Sequence, residues 1–226
     1  MELLYKFAKD LNPDIVVDSG DLLNGKSVSI HPKDPNATPT IRQELDATKE
    51  VIYRITEATE NAEHHWVMGN HDWWFIRHLW KYPELVGFLD VKKEIGVNDL
   101  NWQTYNYGDS YEYEGFIFTH GKKISQASGG TAKKMLEAFH KSGVNQHTHR
   151  CGSSFKTDYT LDANGWWEGG CLCDFTLSIE WFQDPNPNWQ HAITVIKFKG
   201  DRFHLDQIVI PKNKFILFED KYYTLD

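Results

Sequence analysis

Four times in this chain a short apolar run stops at once on side chains that bind metals or move protons, and this recurrence limits what the chain can fold into. Ile15-Val16-Val17 leads through Asp18-Ser19-Gly20 to Asp21, and Trp66-Val67-Met68 leads into Gly69-Asn70-His71-Asp72. Phe116-Ile117-Phe118 ends at Thr119-His120-Gly121, and Val144-Asn145 is followed by Gln146-His147-Thr148-His149. Short β-branched or aromatic runs bounded by Gly and polar residues read as strands. In an α/β sheet the C-terminal strand ends gather on one rim, where such folds place ligands. Four distant stretches of sequence can therefore meet at one point.

The donor types at these ends suit a metal. Asn70 offers a neutral amide oxygen, His71 an imidazole that titrates near neutrality, and Asp72 a carboxylate close enough in sequence to orient that imidazole. Taken alone, the turn at 69–72 reads more readily as a satisfied loop, and a single His is more often structural than ligating. Imidazoles at successive strand ends change that balance. Mixed oxygen and imidazole donors favour Mn²⁺, Fe²⁺ or Zn²⁺ over Ca²⁺, which prefers oxygen throughout.

The rest of the chain alternates helix and strand in its first two thirds. Leu3, Leu4, Phe7, Ala8 and Leu11 mark one face of a helix from Glu2, and Asn12-Pro13 breaks it before a strand over 14–18. Residues 24–40, with Gly25, Pro32, Pro35 and Pro39, form a loop. The spacing of Ile41, Leu45, Val51, Ile52, Ile55 and Ala58 predicts a long surface helix over 41–62. His65 to Met68 is a strand, Trp73 to Tyr82 a helix, and Pro83 can open another. Tyr105 to Tyr113 alternates as a strand pair turning at Gly108-Asp109, and a helix is expected from Gly130 to Lys141, stopped by Gly143. Beyond residue 150 helix signals fade. Strands are expected over 153–160, 172–179, 192–199, 203–210 and 215–218, with a hairpin at Gly200-Asp201. No repeat or linker is evident, so 1–226 reads as a single α/β domain whose later part is a second sheet.

Composition removes several classes of function. No run approaches the roughly 20 apolar residues of a membrane helix, and the start lacks a signal-peptide pattern, so a soluble, cytoplasmic protein is expected. A formal charge of −8 argues against broad capture of nucleic acid. The basic stretch Lys122 to Arg150 reads mainly as a solvated helix face. Cys151, Cys171 and Cys173 are an odd number and read as reduced thiols; with a histidine they could make a zinc site, although their spacing matches no usual zinc pattern.

The ordered motifs resemble those of the calcineurin-like metallophosphoesterases: Gly20-Asp21-Leu22-Leu23-Asn24, Gly69-Asn70-His71-Asp72, His120-Gly121, and the terminal pair as Gln146-His147-Thr148-His149. The segments around Gly169-Gly170-Cys171-Leu172 and 185–189 look most like small bacteriophage members. The resemblance implies an α/β/β/α sandwich of two packed mixed sheets flanked by helices. It implies that Asp21 bridges two divalent ions, Mn²⁺ first among Fe, Zn and Ni. Asn70, His120 and His147 would complete one metal site and His149 would serve the other. His71, held by Asp72, would face the substrate phosphate, and the reaction would be phosphate-ester hydrolysis by a metal-activated water.

Two departures from the family pattern stand out. Its first motif, Asp-x-His on a first strand, belongs upstream of the helix that here begins at Met1; without it, His149 is left with Asp21 alone. Gln146 stands where the family usually has Gly. His31 is a candidate replacement ligand, while His64, His65, His78, His140, His191 and His204 read as surface or packing residues. The competing expectations are a catalytically silent domain that binds one metal or a partner, and a metal-dependent nuclease, which the acidic charge disfavours.

Overall fold

The computed structural model describes residues 1–31, 33–34, 36, 38–159, 162–175, 187–213 and 215–225. The chain divides into two compact units, Leu4–Tyr111 and Met1–Leu3 with Glu112–Asp226.

The amphipathic start is helix α1 (Glu2–Leu11), closed at Asn12, whose φ of 46° leaves the helical region. Strand β1 (Ile15–Asp18) follows. Helix α2 (Ile41–Ala58) begins at a capping box: Gln43 N–H donates to the Thr40 hydroxyl at 3.2 Å while Thr40 N–H donates to Gln43 Oε1 at 2.8 Å. It ends short of the expected residue 62 because Thr59 turns away and bonds back to Ile55 O through both its N–H and its hydroxyl. Strand β2 (Glu63–Val67), helix α3 (Asn70–Lys81), the short helix α4 (Val91–Glu94) and strand β3 (Gln103–Tyr105) complete the unit.

β1, β2 and β3 form a parallel sheet in that order, with Asp18 beside Trp66 and His65 beside Gln103. Parallel pairing sends the chain off both β1 and β2 at the same rim, so Asp21 and the 69–72 turn become neighbours. Leu23, Leu45, Ile52, Trp66, Phe75 and Ile95 are fully enclosed in the core beneath. Each such side chain stabilises the fold by about 1.5–3 kcal/mol. The strand pair expected across 105–113 does not form. Gln103–Tyr105 instead extends the parallel sheet beside His65–Val67, and Asp109 closes its own turn on Asn106.

In the second unit, strands β4 (Tyr111–Tyr113), β5 (Phe116–Phe118) and β6 (Gly143–Asn145) flank helix α5 (Gly130–Phe139) in sequence. β7 (Cys151–Thr157) and β8 (Ala163–Gly169) complete a sheet of order β4-β5-β6-β8-β7. β5, β6 and β8 run parallel and β7 antiparallel, so the sheet is mixed. β9 (Ala192–Lys199) and β10 (Arg202–Val209) make the expected hairpin at Gly200-Asp201, and β11 (Phe215–Phe218) pairs with β12 (Lys221–Thr224). Of the strand expected over 172–179, residues 176–179 lie outside the described residues, and 172–175 are not strand.

β8 escapes a pattern search because Gly165 and Gly169 read as turns, yet it lies inside the sheet with Trp166 fully buried. Parallel and mixed sheets together with helices make the chain α/β, the class expected of a metallophosphoesterase sandwich. Among the described residues no helix is long and apolar enough to cross a membrane.

Two histidines of β2 are packing residues. His64 bonds the Thr59 hydroxyl at 2.9 Å and stacks on Trp102, while His65 stacks on Tyr111 with centroids 3.9 Å apart. Burial pushes both imidazoles below the usual histidine range, with Glu63 partly opposing the shift at His65. In the folded chain they stay neutral where unfolded histidines, titrating near about 6.5, take up protons. Stability is therefore lost as pH falls through that range and regained above it. Denaturant unfolding between about pH 7.5 and 5.5 should show this loss, and His64→Gln should reduce its slope.

Candidate functional site

In the first unit the site is built around a buried carboxylate. Asp72 Oδ2 accepts from Gly69 N–H at 2.7 Å, Asp21 N–H at 2.8 Å and the Trp66 indole at 3.3 Å, and Oδ1 accepts from Leu23 N–H at 2.8 Å. The expected role of Asp72 in holding His71 is corrected by these contacts, since all four donors come from elsewhere. Asp72 sits at the third position of α3, where a carboxylate satisfies the open N–H groups of a helix start. That explains why α3 begins at Asn70 rather than at Trp73, and it places Asn70 and His71 in the first helical turn. Burial pushes the Asp72 carboxyl up and the Asp21 charge adds to this, while the Leu23 and Gly69 N–H groups pull it back down.

Asp21 is held from both sides. Its Oδ1 accepts from His71 N–H at 2.9 Å, and its backbone takes φ 59°, a left-handed conformation that costs most residues about 1–3 kcal/mol. A Cβ on Gly69 would stand 2.1 Å from Asp21 Oδ1, so only glycine lets the two turns approach this closely. His71 Nδ1 meets the Asn24 carbonyl oxygen at 2.5 Å, and because a carbonyl only accepts, Nδ1 carries the proton. The ring also stacks on Trp74 with centroids 4.1 Å apart. Glu44 fixes the loop that delivers Asn24, accepting from the Ser27 hydroxyl at 2.7 Å.

Two further groups belong to this neighbourhood and carry no sequence signal. Burial pushes Asp18 up to about 7, against the Gly20 N–H it accepts at 2.9 Å, with the Asp21 charge adding to the rise. Tyr107 is raised by burial and then by the same Asp21 charge, which places its phenol within electrostatic reach of the strand end.

In the second unit the strand ends of β5 and β6 bring two imidazoles together. His120 Nε2 and His147 Nδ1 are 2.9 Å apart, and His147 N–H donates to His120 O at 3.1 Å. Two nitrogens bound to one ion at about 2.0–2.1 Å stand about 2.9–3.4 Å from each other, so this spacing fits a shared metal. Glu168 of β8 anchors the turn that carries His147: it accepts from the Thr148 hydroxyl at 2.6 Å and from Thr131 and Ala132 N–H at the start of α5. The side chain of Gln146 is accommodated because its partner is Gly169, where a Cβ would lie 2.9 Å from Gln146 Cγ.

His149 faces different company. One donor atom from each of His149, Cys171 and Cys173 lies within 4.8 Å of the others. The histidines set aside as surface or packing residues behave so: His78 meets Tyr82, His140 ends α5, and exposed His204 stands 3.3 Å from Asp206. His31 is exposed, with its ring 6.4 Å from that of Trp74. The basic stretch is engaged locally, Lys134 with Ile124 O and Lys141 with Glu112.

The chain is similar to the Gene 54 protein of Mycobacterium phage D29, with 25% identity over 239 residues that cover 95% of this chain and 89% of the relative. No solved structure matches it. The sequence model of the calcineurin-like phosphoesterases matches residues 1–206, a span that takes in every strand-end motif described above, and the chain belongs to that family.

Proposed function

We propose that this chain hydrolyses phosphate esters at a divalent metal centre for which the family motifs supply Asp21, Asn70, His120 and His147 as ligands. The observation that carries this is the His120–His147 pair, set at a metal-ligand spacing in a chain whose family typically binds divalent metals. One carboxylate, one amide oxygen and two imidazoles make a set for Mn²⁺, Fe²⁺ or Zn²⁺, and Mn²⁺ is our first choice. By the order of the family motifs His149 serves a second ion. Bound metal supplies charge neutralisation at the phosphoryl oxygens and an acidified water.

The chain's own residues do the rest. His71, with its proton fixed on Nδ1 by Asn24 O, has Nε2 as the atom to present to the substrate. As an imidazolium it donates from Nε2 to a phosphoryl or leaving-group oxygen. Asp72 is a positioning residue that keeps Asp21 and His71 in register through the backbone. The acidic charge of −8 favours small phosphomonoesters or diesters over polymeric nucleic acid. A cytoplasmic setting agrees with three cysteines outside any disulfide.

Mn²⁺-dependent hydrolysis of an aryl phosphate, with the aryl diester and single-stranded DNA as comparisons, tests this. Asp21→Asn should lower kcat/KM by roughly 1000-fold, or about 4 kcal/mol; undiminished turnover would remove Asp21 from the site. His71→Asn should lower kcat by about 100-fold or more with a much smaller change in KM. Asp72→Asn places an amide donor among four N–H donors and should cost on the order of 3 kcal/mol in unfolding free energy. Gly69→Ala should disturb Asp21 directly, cutting Mn²⁺ affinity as read by titration.

A further inference from the structure

We propose that Trp74 and Gly25 are positioning residues that together aim the Nε2 atom of His71. The use made of that atom rests on the phosphoesterase reading; its placement rests on contacts within the first unit. The backbone of His71 is tied down by its N–H, which donates to Asp21 Oδ1 at 2.9 Å. That bond leaves the side chain two torsions, and the outer one, joining an sp³ to an sp² carbon, is broad and roughly two-fold. An imidazole attached in this way points its distal nitrogen in many directions unless its plane and its rotation within that plane are both set from outside.

Both are set here. Trp74 lies three residues after His71 on α3, so the two side chains share a helix face. Their rings stack with centroids 4.1 Å apart and 21° between planes, which fixes the plane of the imidazole. The Asn24 carbonyl oxygen, 2.5 Å from Nδ1, fixes the rotation within that plane. With the ring held at one face and at one nitrogen, Nε2 has a single direction left.

Gly25 makes the two constraints compatible. It takes φ 71°, a left-handed conformation that glycine adopts without strain, and caps the short 3₁₀ turn Lys26–Val28. A Cβ there would stand 3.0 Å from Trp74 Cε3 and 3.0 Å from His71 O, so the loop lies this close to the helix because residue 25 has no side chain. The Asn24 carbonyl, one residue back, reaches Nδ1 as part of the same approach that packs the loop against the indole. Each side of the clamp is anchored in turn. Trp74 packs against the enclosed cluster of Leu23, Val28 and Phe75, while Glu44 accepts from Ser27 N–H at 3.3 Å and from its hydroxyl at 2.7 Å.

Moving a reacting group by about 1 Å can lower a rate on the order of 100-fold. Trp74→Leu keeps an apolar helix former and removes the flat face, whereas Trp74→Phe keeps a flat face. Two readouts follow, and the first needs no turnover. In the isotope-labelled wild-type chain, at a pH where imidazoles are neutral, the His71 ring should give the nitrogen–proton correlation pattern of a single tautomer protonated on Nδ1. His71→Asn identifies the signal by its loss. Trp74→Leu and Gly25→Ala should each give averaged tautomers, and Trp74→Phe should keep the wild-type pattern.

The second readout is kinetic. On phenyl phosphate Trp74→Leu should lower kcat by roughly 10- to 100-fold with KM changed by less than about twofold. Trp74→Phe should restore kcat to within about threefold of wild type, and Trp74→Leu should cause no further loss in the His71→Asn background. A wild-type ring protonated on Nε2, which needs no variant to observe, would overturn the assignment. So would a Trp74→Leu ring that keeps the wild-type pattern, or equal losses of kcat from Trp74→Leu with and without His71. If the wild-type chain turns over no phosphate ester, the phosphoesterase reading falls and the ring pattern alone decides the positioning role.

Discussion

The buried carboxylate of Asp72 is the constraint on which the first half of the site depends. It gathers backbone N–H groups from two strand ends that are about fifty residues apart in sequence, Asp21 and Leu23 after β1 and Gly69 after β2, together with the Trp66 indole. Parallel pairing of β1 and β2 brings those ends to one rim, but pairing alone would leave the turns free to choose their shape. Asp72 makes the choice, and it does so while starting α3, so the helix that carries His71 and the loop that carries Asp21 are fixed by one side chain. Leaving several buried N–H groups without an acceptor would cost far more than a single hydrogen bond gains.

The second unit repeats the device with Glu168, fully buried on β8. One oxygen satisfies the first N–H groups of α5 and the other takes the Thr148 hydroxyl between His147 and His149. In both units a buried carboxylate governs the backbone from which the candidate ligands project. The imidazoles of His120 and His147 then stand 2.9 Å apart, at ion-sharing distance.

Much of this was legible in the sequence, for definite reasons. The strands that end on ligands are short, apolar and followed by Gly or polar residues, so their positions and their donors could be read directly, as could the hairpin at Gly200-Asp201. What could not be read depends on partners distant in sequence. Asp72 looked like the orienter of its neighbour His71, because adjacency is visible and the N–H groups of Asp21 and Leu23 are not. Gly165 and Gly169 disguised β8, hiding Glu168 with it, since a glycine selected for close packing looks the same as one selected for a turn. The Cys-x-Cys pair was visible, but the nearness of His149, more than twenty residues earlier, to both sulfurs was not.

The central claim is that the strand-end donors named by the family motifs hold a divalent metal at which a phosphate ester is cleaved. An anomalous difference map at the manganese edge, from crystals grown with Mn²⁺ and inorganic phosphate, tests it most directly. The account predicts a peak bonded to Asp21, Asn70, His120 and His147, with phosphate within hydrogen-bond reach of His71 Nε2. A peak ligated by other residues, or full manganese occupancy that leaves His120 and His147 unligated, would contradict it.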